Sequence, residues 1–97
     1  MNRQAQWTER RARDRRLVSL AARIRLEWGV YVPCTVHNIT AMGAGLELTY
    51  DAFVPLQFRL QIPGDLFEVE CGLRHRRGTF VGVEFLSARA EALARYG

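Results

Sequence analysis

The segment at residues 10–16, RRARDRR, places five arginines and one aspartate in seven positions. Arg11 and Arg15 are four positions apart, a spacing that no other two of the 14 arginines share. In a helical turn or a compact loop, this spacing can put two guanidinium groups on one side. Guanidinium groups bind phosphate through two parallel hydrogen bonds and stack on flat rings. The pair therefore suits clamping a phosphate or stacking on a base.

The second candidate site is the hexapeptide NITAMG at residues 38–43. Asn38 and Thr40 are two positions apart, so both side chains point the same way from an extended segment. Their amide and hydroxyl can pair with the hydrogen-bonding edge of a base, while Gly43 allows a positive φ or a close approach. An ordinary turn held by Asn and Thr side chains explains the same residues without a ligand.

The arginine-rich segment also carries the net charge. The 97-residue chain has no lysine, and its 14 arginines and ten acidic residues give a formal charge of +4. Residues 1–16 hold six arginines and two acids, whereas residues 17–97 hold eight of each. We predict a flexible arginine-rich arm at 1–16 and one domain at 17–97. A solvated basic arm that binds nothing accounts for the same composition.

The domain that must position these residues is predicted to be all-β. Residues 22–28, 31–39, 43–50, 56–62, 66–74 and 79–85 mostly alternate apolar and polar types, as half-buried strands do. Six short strands favour an antiparallel barrel or a closed sandwich. Ser87 is the predicted N-cap of a short C-terminal helix, which could close one end of the barrel.

Two pairs of cysteine and histidine resemble halves of a zinc site, namely Cys34 with His37 and Cys71 with His75. On a strand, positions 34 and 37 face opposite sides, and positions 71 and 75 lie about 13 Å apart. We therefore predict buried free cysteines and surface histidines rather than a metal site.

The spacing of nucleophilic, basic and acidic residues suggests no catalytic triad, so we expect neither an enzyme nor a bound cofactor. No apolar run approaches the roughly 18 residues that a membrane span needs, and two cysteines fit a reducing compartment. The chain is predicted to be cytoplasmic.

Four segments together resemble the PilZ domain, the bacterial receptor module for the second messenger cyclic di-GMP. They are RxxxR at residues 11–15, SLAARI at 19–24, NITAMGAGL at 38–46 and VGVEF at 81–85. The resemblance covers nearly the whole chain, from Arg10 to the helix after Phe85. It implies a six-stranded antiparallel PilZ-type barrel with a C-terminal helix.

The resemblance assigns roles to particular residues. Arg11 and Arg15 match the family's arginine motif, whose arginines hold phosphates and stack on guanine. Asn38 and Gly43 match the second motif, [D/N]xSxxG. Thr40 stands where that motif has serine, so it keeps the hydroxyl but adds a methyl group and a stiffer χ1.

Two further arginines extend the predicted ligand contacts. In the family, an arginine directly before RxxxR tends to accompany two intercalated cyclic di-GMP molecules, so Arg10 implies two ligands per chain. A solvated Arg10 and a single ligand are the alternative. Arg16 could share or replace the role of Arg15.

The sequence thus predicts a cyclic di-GMP receptor or adaptor whose arm becomes ordered on ligand binding and signals to a partner protein. One alternative is a PilZ-like module that binds only protein. Another is a nucleic-acid binder with a basic arm on an OB-like barrel. A neutral barrel counts against the latter, as does the predicted core-facing position of four aromatic residues: Trp28, Phe58, Phe67 and Phe85.

Overall fold

The computed structural model describes residues 16–97, which form six strands and one helix. Each strand pairs in antiparallel fashion with two neighbours, and the closed barrel has the order β1-β2-β3-β6-β5-β4. The predicted all-β barrel is confirmed. The elements are β1 (Arg16–Arg25), β2 (Tyr31–Ile39), β3 (Gly43–Leu48), β4 (Gln57–Ile62), β5 (Phe67–Arg77), β6 (Phe80–Phe85) and α1 (Arg89–Tyr96).

The first strand differs most from its predicted limits. β1 begins at Arg16, earlier than predicted. Its pairing with β2 shifts register between Leu17 and Leu20, and this bulge interrupts the alternation of apolar and polar residues at the start of the strand. It ends at Arg25, since Glu27–Gly29 form a 3-10 turn instead of continuing the strand. The register shift hides the start of β1 from a search for strict alternation.

The observed limits of strands β3 and β5 also differ from the predicted ones. β3 ends at Leu48 rather than at residue 50, and Tyr50 is exposed in the following bend. β5 continues to Arg77 rather than ending at residue 74, so the turn to β6 consists of Gly78 and Thr79. Gly78 has a φ of 62°, a left-handed conformation that glycine adopts without steric cost.

The barrel interior is apolar, and α1 covers one end of it. Ala92 and Tyr96 of the helix are buried with the barrel core. The ring of Tyr96 meets that of Phe67 edge-on at a centroid distance of 5.4 Å, and its hydroxyl donates to Asp65 at 2.6 Å. Three of the four aromatic residues expected in the core are buried there, namely Phe58, Phe67 and Phe85. The side chain of the fourth, Trp28, lies outside the described part of the chain.

Ser87 does not cap the helix, so that prediction was wrong. Its hydroxyl accepts the backbone N–H of Glu70 at 2.9 Å and thereby ties the end of β6 to β5. The N-cap residue is Ala88, which adopts a left-handed conformation and makes no side-chain capping bond.

No helix of the described chain is long and apolar enough to cross a membrane.

The two cysteines are free and buried, as predicted. Burial raises the pKa of Cys34 from its ordinary value of 9.0 to about 12. The pKa of Cys71 rises to about 12 as well, mainly through burial and secondarily through the negative charge of Glu70. Within residues 16–97, no three His, Cys, Asp or Glu side chains are grouped where they could hold a metal ion.

These thiols should make the protein less stable at alkaline pH. Above about pH 9, the thiols ionise in the unfolded chain but stay protonated in the folded one, which favours unfolding. We expect the free energy of unfolding to fall by up to about 1.4 kcal/mol per pH unit for each thiol. Urea denaturation from pH 7 to pH 10.5 measures this slope.

The matched control is the Cys34→Ala/Cys71→Ala double variant, which should lose most of the slope. A smaller slope remains above about pH 10, because burial and the hydrogen bond to Asp65 raise the pKa of Tyr96. Equal slopes for the two proteins between pH 8.5 and pH 10 would contradict the prediction.

Candidate functional site

The predicted residues of the second motif lie in one β-hairpin. Asn38 is on β2, Gly43 opens β3, and Thr40 begins the short connection between them. Asn38 pairs with Gly45, and Ile39 pairs with Ala44. The hairpin therefore brings together all the residues that the sequence proposed for this motif.

The chain enters the barrel beside this hairpin. The backbone of Arg16, the first residue of β1, pairs with Ile39, and Leu17 pairs with Asn38. The RxxxR motif thus ends one residue before a strand that pairs with the second motif. Three predicted ligand-binding residues lie outside the described residues, and their roles stay predictions: Arg10, Arg11 and Arg15.

Thr40 holds the hairpin connection together. Its hydroxyl oxygen accepts the backbone N–H of Met42 at 3.0 Å and that of Gly43 at 3.2 Å. Its own backbone N–H donates to the carbonyl oxygen of Gly43 at 2.9 Å. The hydroxyl that sequence reasoning offered to a base is therefore already used within the turn, as the alternative interpretation expected.

This arrangement predicts a clear difference between two substitutions at residue 40. Thr40→Val removes the hydroxyl at nearly constant shape and leaves two backbone N–H groups without their acceptor. We expect it to lower the free energy of unfolding by about 1–2 kcal/mol. Thr40→Ser keeps the acceptor and should stay within about 0.5 kcal/mol of the wild type. Urea denaturation of the three proteins decides the matter, and equal stability of the valine and serine variants would rule out the proposed role of the hydroxyl.

Gly43 is required by a close approach rather than by a positive φ. Its φ is not in the left-handed region, which among the described glycines only Gly29 and Gly78 adopt. A Cβ at residue 43 would lie closer than 3.0 Å to the carbonyl oxygen of Val83 on β6. Of the two explanations offered by the sequence, the second applies.

A row of four paired residues crosses the outer face of the barrel beside this hairpin. Asn38 on β2 pairs with Gly45 on β3, Gly45 pairs with Gly82 on β6, and Gly82 pairs with His75 on β5. A Cβ on Gly45 would collide with the Asn38 amide, and a Cβ on Gly82 would collide with the His75 ring. The amide and the imidazole therefore lie over the two glycines from opposite sides.

Two β-bulges turn the side chains that flank the glycines outwards. In β2, Val36 and Ile39 face the core, and a register shift leaves both His37 and Asn38 outside. In β5, the register shifts between Leu73 and His75, so Arg74 and His75 are both exposed. Bulges commonly redirect side chains in this way next to functional sites.

Two adjoining depressions lie over this row. One of about 430 Å³ is bordered by Thr40, Arg74 and Glu84, and one of about 250 Å³ is bordered by His37 and Phe80. Both include Asn38, His75 and Gly82. A wider open depression of about 540 Å³ lies near Arg25 and Arg59, away from the second motif, and holds no predicted site residue.

The charges around the depressions are paired but accessible. The Arg74 guanidinium lies 3.3 Å from Glu84, and the Arg74 side chain is 63% exposed. Nε2 of His37 lies 2.8 Å from Glu47, and the His37 ring lies 6.4 Å from that of Phe80. The exposed ion pair between Arg74 and Glu84 contributes little stability, so a ligand can replace it at small cost.

Sequence reasoning missed His75, Gly45 and Gly82 as parts of the site. The available signal was the isolated glycine in the strand segment VGVEF, which indicates that another group approaches the backbone closely. The partner of that glycine lies on β5 and is evident only from the strand pairing.

Comparison with protein-family models found no match to this chain, and a search of curated proteins found no significant match. The two sequence motifs and the surface that surrounds the second of them are therefore the features that indicate a function.

Proposed function

We propose that this protein is a PilZ-type receptor domain that binds cyclic di-GMP. The observation that carries the proposal is the course of β1, which follows RxxxR directly in the sequence and begins by pairing with the strand end that holds Asn38. In the proposed complex, the arginines of this motif and the Asn38 amide bind one ligand. A barrel of six antiparallel strands is the scaffold that the resemblance requires.

The ligand's chemistry matches these residues. Cyclic di-GMP carries two phosphate charges and two guanine bases. Arg11 and Arg15 bind the phosphates through charge-assisted hydrogen bonds and stack on guanine faces. The Asn38 amide offers both a donor and an acceptor to a guanine edge. Thr40 contributes indirectly, because its hydroxyl holds the connection that follows Asn38.

In this proposal, the protein signals through a change of its own surface when the ligand binds. Ligand binding orders the arginine-rich arm against the outer face of the barrel, so that the arm and the ligand together form a new surface. An effector protein reads this surface. The ligand can shift the equilibrium only by its difference in affinity for the two arrangements, and its phosphate contacts to the arm supply that difference.

Titration calorimetry of the full chain with cyclic di-GMP tests the proposal, and it also measures stoichiometry. We expect two ligands per chain, because Arg10 supplies the extra cation that a second stacked dinucleotide needs. The Arg10→Leu variant should bind one ligand.

The outcomes separate the alternatives. A wild-type ratio of one, or a ratio of two that Arg10→Leu leaves unchanged, removes Arg10 from the mechanism. Absence of cyclic di-GMP binding refutes the proposed function and leaves the module that binds only protein. Tight binding of a single-stranded oligonucleotide with a steep salt dependence would instead support the nucleic-acid binder.

A further inference from the structure

We propose that the edge of β1 at residues 17–22 binds an extended segment of a partner protein as an added antiparallel strand, and that this segment alternates apolar and acidic residues. The inference goes beyond the proposed function, because it involves neither cyclic di-GMP nor the hairpin of the second motif. It concerns the side of β1 that faces β4, at the point where the pairing of these two strands ends.

The first observation is the short seam between β1 and β4. β1 pairs with β2 from Arg16 to Arg25, but it pairs with β4 only from Arg23 to Arg25. β4 then ends, and the chain turns away in the 3-10 turn Pro63–Asp65. Among the described residues, no backbone hydrogen bond links residues 17–22 to any segment other than β2. These residues form an open strand edge, which is a template for pairing with another extended chain.

The second observation is the direction of the backbone groups at Ala21. Hydrogen bonding alternates along a strand, and the bond from the N–H of Leu26 to the carbonyl oxygen of Val30 shows that Leu26 faces β2. Ala21 therefore faces the side of β4, and continuing the register of β1 and β4 places Pro63 opposite it. Proline has no N–H to donate, so the ladder ends there. The N–H and C=O of Ala21 are thus directed at the position that an added strand would take.

The third observation is the apolar surface along this edge. A depression of about 340 Å³ adjoins it, bordered by residues of β1, β2 and the 3-10 turn that include Tyr31 and Pro63. On the inner side of the edge, Val18 and Leu20 pack against the core but are only partly buried. Apolar side chains on the inner face of an added strand would cover them, and this contact favours an apolar residue at every second position.

The charge beside the edge indicates the other positions. Arg23 has no carboxylate partner among the described residues. Its Nε donates to the side-chain oxygen of Gln61 at 2.6 Å, and its guanidinium lies 4.5 Å from the centroid of the Tyr31 ring. An acidic residue opposite Ala21 on an added strand would be a diagonal neighbour of Arg23, roughly 7 Å away, where the attraction is only partly screened.

The same charges disfavour a second copy of this chain as the occupant. If two β1 edges paired in antiparallel fashion around Ser19, Arg23 of each copy would lie opposite the arginine-rich segment of the other. Like charges that face each other across a strand pair destabilise it. The arginine-rich arm of the chain itself carries the same charge. An acidic segment of a different protein fits the edge better than either.

The test is an NMR titration of the full chain, labelled with ¹⁵N, in the absence of cyclic di-GMP. The probe is a nine-residue peptide with blocked ends in which valine and glutamate alternate, and the matched peptide has lysine in place of glutamate. At saturation, the glutamate peptide should slow hydrogen exchange of the Ala21 amide at least about tenfold. It should also bind at least about tenfold more tightly than the lysine peptide.

Variants of the chain separate the backbone contact from the charge. Ala21→Pro removes only the N–H that faces the open edge, so it should weaken binding of the glutamate peptide about tenfold or more, with thermal melting as the check on folding. Ala21→Val is the matched control, which keeps the N–H and should stay within about threefold of the wild type. Arg23→Gln should lower the preference for glutamate over lysine at least about threefold.

Each outcome has a defined consequence. Equal affinity for the two peptides, or binding that leaves exchange of the Ala21 amide unchanged, overturns the inference. It is also overturned if this amide already exchanges slowly in the free chain. Slow exchange at every protein concentration would then assign the edge to the chain's own arm, whereas slow exchange only at high concentration would assign it to a second copy. If Ala21→Pro does not fold, the glutamate preference of Arg23→Gln decides, and a preference equal to that of the wild type contradicts the inference.

Discussion

Replacing Arg11 or Arg15 by alanine is expected to weaken cyclic di-GMP binding about ten- to a hundredfold and to leave the barrel folded. Each substitution removes a charge-assisted contact to phosphate, which is worth on the order of 1.5–3 kcal/mol. Among the described residues, the buried core is formed between Ala22 and Tyr96, so we expect the barrel to fold without either arginine side chain. Titration calorimetry gives the affinities, and thermal melting reports the state of the barrel.

The matched control for these variants is Arg25→Ala. It removes the same charge from the opposite end of β1, about 30 Å along the strand from Arg16. Its affinity should stay within about threefold of the wild type, because an exposed charge at that distance is screened at physiological ionic strength.

Near-native affinity of both Arg11→Ala and Arg15→Ala would contradict the assignment of the phosphate site. An Arg16→Ala variant distinguishes the remaining possibility. If Arg16→Ala loses affinity while Arg15→Ala does not, the second phosphate contact belongs to Arg16.

The second large effect concerns stability, since Gly43→Ala should lower the free energy of unfolding by about 2–3 kcal/mol. The added Cβ would meet the carbonyl oxygen of Val83 closer than 3.0 Å and would also crowd the Cα of Glu84. These are backbone atoms of β6, which cannot rotate aside as a side chain can. The strands β3 and β6 would have to separate locally, at the hairpin that carries the second motif.

Gly64→Ala is the control for this prediction. Gly64 lies in the 3-10 turn Pro63–Asp65, and its φ is not positive. Apart from its two chain neighbours, no residue has an atom within 4 Å of the position that its Cβ would take. The substitution should change stability by less than about 1 kcal/mol, in either direction. Equal urea midpoints and slopes for the two variants would show that β6 does not restrict residue 43.

The number of strands, their approximate positions and most of the buried residues could be predicted from the sequence. Alternation of apolar and polar types reports burial directly, because successive side chains of a strand face opposite sides of the sheet. Residues 31–36 alternate regularly up to the bulge, and β2 has the predicted limits of 31–39. The prediction of β1 was less accurate where its register shift interrupts the alternation.

The candidate site was predictable only where its residues are close in sequence. Asn38, Thr40 and Gly43 belong to one hairpin, so a local pattern could identify all three. The same pattern could not show that the Thr40 hydroxyl is used within the turn, because its partners depend on how the connection is folded.

Strand pairing alone decided the rest of the site. Asn38 and His75 share a surface because β3 and β6 lie between their strands, and because both intervening positions are glycine. Likewise, Ser87 bonds to Glu70 rather than capping the helix, since closure of the barrel brings β5 next to the end of β6. Alternation in a sequence determines which face of a strand is buried, whereas the neighbours on the exposed face follow from strand order and register, which are properties of the closed barrel.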